Sequence, residues 1–307
     1  MTTHLQFTLL LFTLSFASWG QEYRYDFDST GLFNSLEALS SDSMFGRETG
    51  EKGGLSAQRF ITSKFEALNL IPFSGSFSHS FGYASPFKKK KVTGANIVGW
   101  MKGRSDSNKY IVVSSHHDHL GVKNGEIYNG ADDNASGTCA LFSIAEYLKL
   151  HPPNYSIIFV AFDAEEDGLI GSKHFLRKPP VPLREIVFNL NLDMISRAEK
   201  QNIFICGTSH YPELVPILNS LDSLSAIDVV FGHDDSGARG ADDWTHSSDH
   251  GSFHKKGIPF IYLGVENHVD YHQPSDDFEN IDKSFYLEAV RVSIKIIERI
   301  DKKFSSY

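Results

Sequence analysis

A chain of 307 residues with 41% apolar content can build a real hydrophobic core, as one large domain or two small ones. Its formal charge of -9 argues against nucleic acid or an anionic membrane surface as the main partner and suits cationic ligands and metal ions. The 2 cysteines, Cys139 in a predicted helix and Cys206 in a predicted strand, offer no disulfide framework, so buried free thiols are expected.

The first twenty residues form an apolar segment ending in small residues, with Ser18 and Gly20 suited to a cleavage site before Gln21. They predict an export signal (1–20), followed by one domain over 21–307 and a periplasmic or secreted destination. Helical spacing covers Leu32 to Leu39 and Leu55 to Leu68, with Gly46, Gly50, Gly53 and Gly54 breaking the chain between them. Pro72, Gly75, Gly82 and Pro86, interleaved with phenylalanines, then lead to GANIVGWMKG and predict a sheet edge with a hairpin. The lysine run Lys88 to Lys91 reads as a solvated strand edge or loop. Strands and helices alternate from there on. A strand ends at Ser115, a helix spans Thr138 to Leu150, a strand Ser156 to Phe162, a short helix Ser172 to Leu176 and a strand Glu185 to Leu192. QNIFICGT, a helix from Pro212 to Leu221, PFIYLGV and a terminal helix from Phe285 to Phe304 follow. This order predicts an α/β fold with a mixed, mainly parallel central sheet and helices on both faces, its ligands at the strand ends.

Chemistry-bearing residues stand where the apolar runs stop. KYIVVSS runs into HHDHL, YSIIFVAF into DAEE and EIVFNLNL into DMIS, so His116, Glu165, Glu166 and Asp193 converge at the carboxyl edge of one sheet. In HHDHL, alternation along an extended chain puts His116 and Asp118 on one side, His116 as a ligand and Asp118 as the acid that orients its ring. His117 and His119 then face the other way, toward ordinary polar contacts. GADDNASG supplies an acidic turn before a helix, commonly a helix cap or a calcium loop, from which Asp133 or Asp132 can bridge two cations. Adjacent carboxylates in DAEEDG repel unless a cation lies between them, so Glu166 reads as a ligand and Glu165 as a general base. Asp193 closes an apolar strand, where an uncompensated carboxylate is costly. His272 in VDYHQPSD joins only because of the rest. Five nitrogen and oxygen ligands (His116, Asp133, Glu166, Asp193, His272) and a spare Glu, without thiolate, suit two zinc ions.

Together HHDH, GADDNASG, AFDAEEDGLIGS, NLDMIS, SDHGSF and DYHQPSDD resemble, in order over about residues 92–280, the cocatalytic dizinc exopeptidases typified by secreted bacterial leucyl aminopeptidases. GRETGEKGG looks like that family's amino-terminal segment, and Asn69 stands where related sequences often carry Gly at a helix end. The resemblance implies two Zn2+ per chain, with Asp133 bridging, His116 and Asp193 on one ion, and Glu166 and His272 on the other. It implies Glu165 as general base, Asp118 behind His116, Tyr271 as an oxyanion-stabilising hydroxyl, and a cis peptide after the bridging Asp. The implied activity is removal of amino-terminal residues from peptides with a free amino terminus, with no role for nucleic acid and none for membrane once the signal is cut. The loops Ile203 to Pro212 and Phe231 to His246 would wall the first side-chain pocket, and Asp249 reads as a structural or substrate-side acid. Glutaminyl cyclases share the fold with a single zinc. Dizinc carboxypeptidases need a cationic pocket, for which Arg197 and Arg239 are candidates, and a noncatalytic binding protein on this fold is the remaining reading.

Overall fold

The computed structural model describes residues 27–235, 237 and 242–305, so the proposed export signal and Arg239 lie outside the described residues. Helices α1 (Ser29–Leu39) and α2 (Lys52–Ala67) form the amino-terminal pair, joined through a tight turn at Asp42–Arg47. Asn69, just past the end of α2, takes the left-handed conformation at φ 55°, which asparagine tolerates better than most residues. Strands β1 (Ile71–Pro72) and β2 (Ser78–Ala84) both pair antiparallel with β3 (Lys91–Met101), so the Pro- and Gly-punctuated stretch does build one end of the sheet. Then come β4 (Asp106–His116), a separate hairpin of β5 (Gly121–Lys123) and β6 (Glu126–Tyr128), α3 (Gly137–Leu150) and β7 (Tyr155–Phe162). The chain continues with α4 (Ile170–Arg177), β8 (Ile186–Leu192), β9 (Asn202–Cys206), α5 (Val215–Leu218) and β10 (Asp228–Phe231). It ends with α6 (His250–His254), β11 (Phe260–Gly264) and α7 (Lys283–Phe304).

The sheet runs β1-β3-β7-β4-β8-β11-β9-β10. Its centre, β7, β4, β8 and β11, is parallel, whereas β3 and β9 join antiparallel on either side. Burial on both faces explains the unbroken apolar strands. In β7, Ile157, Phe159 and Ala161 face the larger core with α1, α2, α3 and α7, while Ile158, Val160 and Phe162 face a smaller core with α4 and α6. Helix α7 starts where the Asp282 carboxylate accepts the backbone N–H groups of Ser284 and Phe285, and it buries Phe285, Ala289, Val292, Ile296 and Ile300 on one side. The expected helix from Pro212 to Leu221 is instead a 3-10 turn over Pro212–Leu214 and the single turn α5, because Pro216 has no N–H to continue a longer helix. Among the described residues no helix is long and apolar enough to cross a membrane.

Candidate metal centre

Parallel register brings the strand ends level. His116 is the last residue of β4 and pairs in register with Phe162, the last residue of β7, while Ser114 pairs with Asn191 of β8. The next residues on β7 and β8 therefore lead Glu165, Glu166 and Asp193 to the same edge. Three non-glycine residues here carry positive φ, Ala164 (58°), Met194 (58°) and His272 (55°), each at or beside a candidate side chain. Such backbone strain collects where a fold fixes functional groups.

The acidic turn sits at the centre. Asp133 is almost fully buried, and its two oxygens face different histidines: Oδ1 lies 3.3 Å from His116 Nε2 and Oδ2 lies 3.1 Å from His272 Nε2. His116 Nε2 is also 3.2 Å from Asp193 Oδ1, and His272 Nε2 is 3.6 Å from Glu166 Oε2. Asp132 has both oxygens committed elsewhere. Oδ1 accepts from the Ser196 N–H (2.7 Å) and hydroxyl (2.8 Å), and Oδ2 meets His268 Nε2 at 3.1 Å. The turn is held from two sides. The Asp276 carboxylate accepts the N–H groups of Asp132 (2.9 Å) and Asp133 (3.0 Å), and the fully buried Arg47 guanidinium donates to the carbonyls of His117, Leu39, Asn129, Gly130 and Asp133. The Asp133–Asn134 peptide is cis.

Asp118 and His119 depart from the alternation argument. The strand ends at His116, so the period-two rule stops with it. His116 Nδ1 is 3.1 Å from the Asp118 backbone carbonyl and 3.8 Å from its carboxylate. That carboxylate instead accepts the N–H groups of Glu165 (3.0 Å) and Glu166 (3.2 Å), fixing the loop that carries both glutamates. His117 does face away, with Nε2 3.3 Å from the Ala95 carbonyl. His119 does not join it there: its Nδ1 lies 2.9 Å from Glu166 Oε1 and 3.8 Å from Asp133 Oδ2. Three histidines in HHDH are the sequence signal for it. Asp163 has no such signal beyond its place at a strand end. It accepts from Thr49 Oγ1 (2.6 Å), Gln58 Nε2 (2.9 Å), the Ala95 N–H (2.8 Å) and its neighbour's N–H (2.9 Å), tying the glutamate loop to the amino-terminal segment.

Tyr271 stacks on His272 with ring centroids 3.9 Å apart and joins Glu165 and Asp193 in a cavity of about 250 Å³. Met194, Trp244, Tyr262 and Val265 give that cavity an apolar wall, Trp244 coming from the expected loop between Phe231 and His246. Asp249 is fully buried beside this region, its charge acting on Glu165. Arg197 is paired with Asp270. Lys88, expected in solvent, is only 15% exposed and forms a 3.0 Å ion pair with Glu48.

Burial raises the Glu165 carboxyl well above the usual range, and Glu166, Asp249 and Asp193 add to this, with His116 opposing. Burial likewise opposes a charge on His116, yet Asp193, Glu165 and Asp133 hold its imidazole well above the usual range. Asp133 goes the other way: burial disfavours its charge, but His119, His116 and His272 keep it well below the usual carboxylate range. So many acids around so few cations favour binding a positive ion. Ligand atoms of His116, Asp133 and Asp193, and separately of His119, Asp133 and Glu166, lie within 4.8 Å of one another. His119 has no aligned hydrogen bond at either nitrogen, and Glu166 Oε1 has none. These nitrogen and oxygen donors fit zinc, and both cysteines are free and buried elsewhere in the fold.

The model of peptidase family M28 matches residues 96–297, more than half of the chain. The chain belongs to peptidase family M28. Among relatives of this M28 chain, aminopeptidase YwaD of Bacillus subtilis is 34% identical over 211 residues, covering 64% of this chain and 42% of the relative. The chain spans about half the length of the curated relatives it matches. Glutaminyl cyclase from Porphyromonas gingivalis superposes with TM-score 0.72 at 19% identity, covering 89% of this chain and 99% of that structure. BSAP, a zinc aminopeptidase from Bacillus subtilis, does so with TM-score 0.68 at 18% identity, covering 88% and 94%. At these identities the likeness shows the fold.

Proposed function

We propose that this M28 chain is a zinc-dependent aminopeptidase that removes amino-terminal residues from peptides. The observation that carries this reading is the division of one carboxylate between two sites: Asp133 turns Oδ1 to His116 and Oδ2 to His272, and each histidine has its own second acid. Family membership and the aminopeptidase relative support it. On this reading His116, Asp133 and Asp193 hold one ion, and Asp133, Glu166 and His272 the other, with His119 against Glu166.

Two zinc ions bound there would supply the positive charge that favours a hydroxide nucleophile and polarises the substrate carbonyl. Glu165 takes the proton of the attacking water and returns it to the leaving amine. The Tyr271 hydroxyl, in the same cavity, donates to the oxygen that gains charge at the cut carbonyl. The substrate amino terminus stays beside the carboxylates, and the first side chain enters the cavity walled by Met194, Trp244 and Tyr262. The apolar segment 1–20 supports export of the chain.

The test is metal content per chain together with release of amine from a panel of aminoacyl anilides and an amino-terminally blocked control. Two zinc ions with cleavage of unblocked substrates alone is the expected result. One zinc, or two without cleavage, would favour a cyclase or another specialised M28 activity.

A further inference from the structure

A second cavity, of about 380 Å³, shares Glu166 and His272 with the first. The two cavities differ in kind. One is small and lined by the carboxylates and histidines of the centre, with Met194, Trp244, Tyr262 and Val265 on one side to take a first side chain. The other is larger and carries Phe87, Lys88 and Lys123 beside Glu166 and His272. A peptide with its first residue in the smaller cavity must send the remainder of its chain out past the metal centre, and the second cavity shares Glu166 and His272 with that centre.

Its charges are not equivalent. Lys88 is neutralised by Glu48 and also donates to the Thr49 carbonyl at 2.7 Å. Asp167 keeps its charge but is turned onto the Tyr83 hydroxyl, and Glu166 and Asp118 belong to the centre already described. Lys123 forms no ion pair among the described residues. Its exposed ammonium lies 5.2 Å from the Tyr128 ring centre, and Glu126, opposite it in register, does not pair with it. Asn124 and Gly125 take positive φ, 55° and 85°, the geometry of a tight Asn-Gly hairpin turn, so Lys123 sits on a short, well-defined ribbon. Phe87, 73% exposed, puts its ring on the same cavity. An open site with a free cation and an apolar surface recognises a carboxylate on a peptide.

We propose that this cavity receives the part of the substrate beyond the cut bond, and that Lys123 makes it prefer a carboxylate there, on an acidic side chain or as the terminus of a short peptide. The proposal rests on the aminopeptidase reading.

The experiment measures kcat/KM of the zinc-loaded chain on leucyl-glutamyl amide, leucyl-lysyl amide, leucyl-alanine and leucyl-alanine amide, with leucyl anilide as reference. An exposed pair favours a carboxylate by about 2- to 5-fold, falling with added salt. The expected result is a preference of that size for glutamyl over lysyl, for leucyl-alanine over its amide, or for both, reversed in Lys123→Glu. The two substrate pairs tell a side-chain carboxylate from a terminal one. Ratios near one in both pairs, or ratios that Lys123→Glu leaves unchanged, overturn the subsite while anilide cleavage upholds the aminopeptidase. A chain that cleaves none of the five and none of the aminoacyl anilide panel overturns both.

Discussion

Thr49 donates a 2.6 Å hydrogen bond from its hydroxyl to the buried carboxylate of Asp163, and so ties the amino-terminal segment to the loop that carries Glu165 and Glu166. Thr49→Val keeps the shape and removes the hydroxyl, which also accepts the Ala164 N–H at 3.1 Å. Asp163 retains Gln58 and two backbone N–H groups, so the expected stability loss is about 1 kcal/mol by urea denaturation. Turnover should fall more than folding does, roughly 10-fold in kcat, because a small displacement of a proton carrier is costly. Unchanged kcat in a destabilised variant would limit this tether to a structural role.

On the proposed reading Glu165 and Asp133 separate chemistry from metal holding. Glu165→Gln should retain both ions and lose at least about 100-fold in turnover, the scale of general base catalysis. Asp133→Ala should lose metal and activity together, read by elemental analysis of the dialysed protein. Asp132→Asn is the matched control, because its carboxylate is already held by Ser196 and His268. Retention of two ions in Asp133→Ala would end the bridging assignment.

The sequence made the strand ends legible because a parallel sheet buried on both faces writes its strands as apolar runs, and a charged residue closing such a run is costly unless a cation or several donors meet it. His116, Glu165, Glu166 and Asp193 follow from that logic. It failed a few residues further on, at His119, because alternation governs a strand only while the chain stays extended. The pairing of Asp118 with the glutamate loop could not be read either, since it joins segments 47 residues apart through backbone N–H groups that carry no side-chain signature. Short elements were lost for a similar reason. The β5–β6 hairpin has three residues per strand, too few for a periodic pattern, although Asn124-Gly125 is a turn signal in plain view.

His119 offers a direct check on the proposed second ion. Its Nδ1 touches Glu166 Oε1 at 2.9 Å, so it either orients that carboxylate or binds alongside it. His119→Ala is expected to weaken the more loosely held zinc by about 10- to 100-fold, as loss of an orienting partner does, while the other ion stays bound. Stepwise zinc titration with a chromophoric competitor measures both. Two unchanged affinities would reduce His119 to a filler of the cavity wall.

His250 makes folding stability depend on pH away from the ligand set. Burial pushes its imidazole down to about 3 from an ordinary 6.5, and its ring is packed on Phe260 and Tyr262 with Nε2 donating to the Trp244 carbonyl at 2.8 Å. Below pH 6.5 the unfolded chain binds a proton that the folded chain refuses until about pH 3, so this residue costs stability as pH falls through that window and is neutral above it. The slope is about 1.4 kcal/mol per pH unit, or on the order of 2 kcal/mol between pH 6.5 and pH 5. His250→Gln can still donate to the Trp244 carbonyl but cannot titrate. The expected outcome is a variant less stable than the parent at pH 7, with the gap narrowing by on the order of 2 kcal/mol at pH 5 in urea melts. Parallel pH profiles for parent and variant would show that His250 is not the group that takes up the proton.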